Sequence, residues 1–223
     1  MDEISRIKDD RVIASLMKKD MGAMREMISR FMVPVSRISY RILCDRLDSE
    51  SVTISLFMNL WSSPESFNGQ LSLDYEIIRR TCRMCRVRLL RRRLLMLLSI
   101  DPDIYVSSVP VVPGADDFLA RKTWAIYCRA ARNYTDRQKI IFTLCELEEY
   151  SPSEISMITD YPVSRILDDL EEARVMLKDE LDIFGRMDDY ISYLGFLRKI
   201  QDQLTDTLRL QRCILDRTEF KRF

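Results

Sequence analysis

Apolar residues recur at three- and four-residue spacing along almost the whole chain, and one stretch breaks the pattern decisively. That stretch is DPDIYVSSVPVVPGADD, residues 101–117, where Pro102, Pro110, Pro113 and Gly114 forbid a continuous helix. With only 5 Gly and 7 Pro in 223 residues and no persuasive run of strands, the chain is expected to be all-α. Its hydrophobic content of 47% is enough for two small cores. The expected organisation is a helical domain over 1–100, a Pro-rich linker over 101–115, a second helical domain over 116–182 and a helical extension over 183–223. In the extension, Tyr190, Leu194, Leu197, Leu204, Leu208 and Cys213 keep a roughly helical spacing broken by Gly195. That pattern fits a helix packed back on its own domain and an amphipathic docking helix equally well.

Several function classes are disfavoured at once. The opening MDEISRIKDDR is charged from its second residue, and the longest apolar run, Leu94 to Leu98, falls far short of the roughly 20 residues of a membrane span. The expectation is a cytoplasmic protein with no membrane span. Six Cys without a secretory signal point to reduced thiols. Cys82 and Cys85 form a CxxC, but the chain has no His and no second CxxC to complete a tetrahedral site, so the pair reads as helix packing and no metal is expected. The lack of His also removes the commonest general base, and no Gly-rich phosphate loop is present. Neither an enzyme nor a cofactor is expected.

Charge is balanced, 35 basic against 35 acidic residues, but it is not evenly mixed. Residues 79–93, RRTCRMCRVRLLRRR, hold Arg79, Arg80, Arg83, Arg86, Arg88, Arg91, Arg92 and Arg93 and no acid. Such a run is self-repelling unless something anionic lies nearby, which makes these arginines candidates for nucleic-acid contact. Residues 167–182, LDDLEEARVMLKDELD, carry seven acids against Arg174 and Lys178, so the two halves are expected to face different partners.

The second domain has strong local signals. Thr135 can cap a helix opening DRQ, with Gln138 reaching back, and this helix runs through Ile141, Leu144 and Cys145. SPSE, Ser151 to Glu154, supplies an N-cap, a Pro at the first helical position and a Glu at the third. After the turn Thr159-Asp160-Tyr161-Pro162, a further helix should bury Val163, Ile166, Leu170 and Ala173. This is helix-turn-helix spacing, and it leaves Leu167, Asp168, Asp169, Glu171 and Glu172 on the face that would meet DNA.

Taken together, residues 10–181 resemble the extracytoplasmic-function type of bacterial RNA polymerase sigma factor. DDRVIASLMKKDMGAMREMISRFMVPVSRISYRIL looks like that family's opening helices, and LDSESVTISLFMNLWSSPESFNG like its polymerase-binding helix. LLRRRLL looks like the end of the promoter-melting helix, and TDRQKIIFTLCELEEYSPSEISMITDYPVSRILDDLEEAR like the second domain. The resemblance implies two helical domains that bring core RNA polymerase to promoter DNA. It puts polymerase contact at Asp48, Glu50, Phe57, Asn59, Leu60 and Trp61, with Trp61 open to being a core residue instead, and promoter contact on the eight arginines.

The departures from the family are informative. Ser51, Ile54 and Ser55 stand where the family favours Asp, Gln and Glu, which implies an altered clamp contact. Near Met84 and Arg88 the usual Asn and Asp are replaced, so phosphate contacts are expected to outlast base reading. In the recognition helix, Leu167, Asp168, Asp169, Glu171 and Glu172 replace Lys, Ser, Arg, His and Arg. Carboxylates there repel phosphates, so the four acids are expected to meet a protein partner instead. Three readings follow. One is a divergent sigma factor whose upstream targeting comes from a partner, for which an RNA-guided, cleavage-inactive effector is a sensible candidate. Another is a conventional factor reading with Arg165 and Arg174. The third is a non-initiating decoy or regulator, held by polymerase or by an anti-sigma partner.

Overall fold

The computed structural model describes residues 3–67, 71–97 and 118–183. Among them the chain is all-α, with no strand. The helices are α1 (Glu3–Met17), α2 (Met21–Leu43), α3 (Arg46–Ser62), α4 (Leu73–Leu97), α5 (Phe118–Asn133), α6 (Asp136–Phe142), α7 (Pro152–Thr159) and α8 (Val163–Ile183). The expected linker and the extension beyond Ile183 lie outside the described residues. The chain divides between Arg88 and Leu89, within α4, into two compact units.

In the first unit α2 supplies the longest apolar face. Ala23, Met24, Met27, Phe31 and Val35 pack with Val12 and Leu16 of α1, Leu56, Phe57 and Leu60 of α3, and Leu73 and Ile77 of α4. Asp20 caps α2 by accepting from the Gly22 N–H at 2.9 Å. At its far end Cys44 adopts a left-handed conformation and closes the helix on the Tyr40 carbonyl. Asp45 then caps α3 through the Asp48 N–H, so two residues suffice to fold α3 back along α2. Arg30 links three helices, donating to Asp9 of α1 and to Asp74 of α4 at 2.7 Å. After α3 a short 3-10 turn, Pro64–Ser66, is held by Arg80, whose guanidinium lies over the Phe67 ring and donates to Ser66. Cys82 and Cys85 are both buried on the inner face of α4.

The second unit is built on stacked rings. Trp124 and Tyr127 of α5 meet Phe142 of α6, with Tyr134 completing the set, and the Tyr134 hydroxyl donates to the Ala173 carbonyl of α8 at 2.8 Å. Both expected capping boxes form: Thr135 with Gln138, and Ser151 with Glu154. The helix opened by Thr135 departs from expectation at Thr143, where α6 widens into a π turn that runs to Leu147. Asp160, left-handed, ends α7, and the Ser156 hydroxyl donates to the Tyr161 carbonyl to fix the following turn. The inward stripe of α8 is Ile166, Leu170, Ala173 and Leu177. Val163, expected in that stripe, is exposed, because the whole first turn from Pro162 to Arg165 stands clear of the other helices.

The caps carry a measurable share of this stability. Ser151→Ala should destabilise the protein by about 1 kcal/mol, since it removes one cap bond and frees Glu154. Ser164→Ala on the exposed first turn of α8 should stay within about 0.5 kcal/mol in the same urea titration.

Candidate functional site

The arginine run lies on α4, but it does not form one uniform surface. Arg80 pairs with Glu76 at 2.7 Å, Arg88 faces Asp48 at 3.7 Å and donates to Ser51, and Arg93 faces Asp136 at 2.9 Å as an ion pair. The counter-charges absent from the run thus come from residues before and after it. Arg79 and Arg92 are half-buried, and Arg83, Arg86 and Arg91 are exposed. On the same side of α4, at spacings of three and four, Val87, Leu90 and Leu94 are also exposed. The outward face of the helix is therefore basic and apolar in alternation.

The residues proposed for polymerase contact divide between surface and core. Glu50 and Asn59 are exposed, and Asp48 is half-buried against Arg88. Phe57 and Leu60 are buried in the core of the first unit, so neither can be a surface contact. Their spacing aligns them with Val52 and Leu56 on the inner side of α3. Trp61 is half-buried against that core, with Lys19 above its ring. The outward side of α3 carries Leu47, Ile54 and Met58, which sequence reasoning did not select as contacts. Their signal was available: the three share one helix face, and residues 51–64 contain no charge.

The acidic helix also differs from expectation. Asp169 is only 2% exposed and takes a two-pronged ion pair from Arg137 of α6, with one bond at 2.9 Å. It lies beside the inward stripe, not on the free face. The hydrogen bond to Asp169 holds the Arg137 guanidinium above its ordinary pKa, against the opposing effect of burial. Glu172 is exposed but accepts from Gln138 Nε2 at 2.7 Å. Two of the four acids are thus turned toward α6, leaving Asp168 and Glu171 outward beside Leu167. Arg174 is engaged too, donating through Nε to the Glu146 carboxylate at 2.8 Å. Arg165 is exposed on the first turn. The Cys145 thiol, next to Glu146, is pushed up by burial and then by that carboxylate, with Arg174 opposing.

No family model and no curated protein matches the chain. Solved structures do match, among them the sigma factor RpoE from Bartonella quintana, crystallised in complex with the anti-sigma factor NepR. The two chains are 15% identical, with a TM-score of 0.52, over 71% of this chain and 96% of that one. The fold is one that sigma factors adopt, and the likeness at this identity is one of fold. No helix among the described residues is long and apolar enough to cross a membrane, and no cluster of three metal-binding side chains stands among them.

Asp169 and Asp168 are adjacent in sequence and opposite in consequence. Asp169→Ala strands Arg137, whose partial exposure lets water relieve some of the loss, so a destabilisation of about 2 kcal/mol is expected. Asp168→Ala should change stability by less than about 0.5 kcal/mol, and equal losses in thermal unfolding would contradict the separation drawn here.

Proposed function

We propose that the protein is a sigma-factor-like initiation protein that binds core RNA polymerase and brings it to promoter DNA, acting in the cytoplasm without a cofactor. The observation that carries this reading is the fold shared with RpoE over most of both chains, with exposed arginines on α4 where the resemblance puts promoter contact. Arg83, Arg86 and Arg91 are the phosphate-binding residues; Arg80, Arg88 and Arg93 act first in ion pairs that hold α4 and its neighbours. Polymerase binds the outward face of α3, with Glu50 and Asn59 at its edge.

The helix-turn-helix formed by α7 and α8 is a protein-binding element. Asp168 and Glu171 face outward and add negative charge where duplex DNA needs cations, so upstream targeting falls to a partner protein. An RNA-guided, cleavage-inactive effector supplies sequence information in a chemically sensible way. An anti-sigma factor is the other candidate, by analogy with the NepR complex of the structural neighbour. The conventional alternative now rests on Arg165, because Arg174 is held by Glu146.

Transcription from promoter DNA with core polymerase, with and without the neighbouring gene products, separates these readings. Initiation only with a partner supports the proposal, unaided initiation favours the conventional factor, and no initiation under any condition favours a decoy. Replacing Arg83, Arg86 and Arg91 together by Glu should abolish open-complex formation while leaving polymerase binding unchanged. In filter-binding titrations against salt, the loss of each phosphate contact should reduce the slope of log K by about 0.9.

A further inference from the structure

Helix α3 is apolar on two opposite sides. Its inner side, Val52, Leu56, Phe57 and Leu60, is buried in the first unit. Its outer side exposes Leu47 by 51%, Ile54 by 64% and Met58 by 58%. Leu47, Ile54 and the half-buried Trp61 follow one another at intervals of seven, with Met58 between the last two, so the four side chains lie along one line of the helix. A helix with apolar residues on both sides is normally covered on both.

The line is also electrically blank. Residues 51–64, SVTISLFMNLWSSP, carry no charged side chain, in a chain of which 31% is charged. At the N-terminal end Arg46 and Glu50 neutralise each other at 2.7 Å, and Asp48 faces Arg88. At the C-terminal end Lys19 spends its ammonium group on the Trp61 and Ser62 carbonyls, the latter at 3.2 Å. A phosphate backbone would find no cation along this line. A charged partner residue would lose its hydration with nothing opposite it, whereas an uncharged apolar face loses nothing.

We infer that the outer side of α3 docks an amphipathic helix of core polymerase whose contacting face is apolar and uncharged, packed lengthwise against Leu47, Ile54 and Met58. This rests on the polymerase reading above and adds the chemistry of the partner surface. The packing is of the seven-residue kind, and its specificity comes from shape, with charge excluded on both sides.

Ile54 tests this directly, because its exposure lets substitutions fold. Affinity for core polymerase of the same organism is measured for the full-length wild type and for Ile54→Glu, Ile54→Arg and Ile54→Leu, each checked for unchanged helicity. Glu and Arg should each weaken binding by at least ~30-fold and by similar factors, since either charge is buried against a neutral face, while Leu stays within about threefold. Opposite effects of Glu and Arg would reveal a charged partner surface and overturn the inference while leaving the polymerase reading intact. Wild-type affinity in both charged variants would place the contact elsewhere and overturn it equally. Failure of the wild type itself to bind polymerase would remove the polymerase reading and this inference together.

Discussion

The ion pair between Arg137 and Asp169 sets what the second unit can offer to a partner. A carboxylate that is only 2% exposed must be matched by a cation in good geometry, or the helix bearing it cannot settle there. Meeting that requirement fixes the rotation of α8 about its own axis. Gln138 to Glu172 and Arg174 to Glu146 then follow on either side, and the Tyr134 hydroxyl reaches the Ala173 carbonyl between them. Once the rotation is set, Leu167, Asp168 and Glu171 have nowhere to point but outward. Part of the acidity of α8 is therefore structural, and what remains for recognition is small, local and mixed with apolar surface.

The same economy governs α4. Arginines look alike in a sequence, but three of the eight are engaged by Glu76, Asp48 and Asp136, and those bonds limit how far they can also serve a ligand. Arg80 illustrates the division well, with its guanidinium over Phe67 and its donors on Ser66 and Glu76. A surface formed by Arg83, Arg86 and Arg91 with Val87, Leu90 and Leu94 among them suits a partner having both charge and apolar faces, which unstacked nucleic acid possesses.

Much of the fold was legible because it rests on local chemistry. The capping boxes at Thr135 and Ser151 depend on residues three apart, and the inner stripe of α8 on the helical period, so both could be read from spacing. The errors came where a residue's neighbours lie far away in sequence. Asp169 was placed on the free face because its partner is 32 residues earlier, and Arg174 was left available because Glu146 is 28 residues away. Phe57 and Leu60 were assigned to the surface by family resemblance, although their register with Leu56 already put them inside. The π turn had no sequence signal, since nothing in TLCEL distinguishes it from an ordinary helix.

That turn has a consequence for how such a unit tolerates change in length. A π turn fits one more residue into nearly the axial space of an α turn, so Thr143–Leu147 holds a surplus residue between α6 and α7. Loss of one residue there would restore the α pitch without shortening either capped helix, while turning everything downstream by about 100°. The turn acts as a phase adjuster: it lets Ile155 and Ile158 meet the core on a helix whose starting angle would otherwise point them elsewhere.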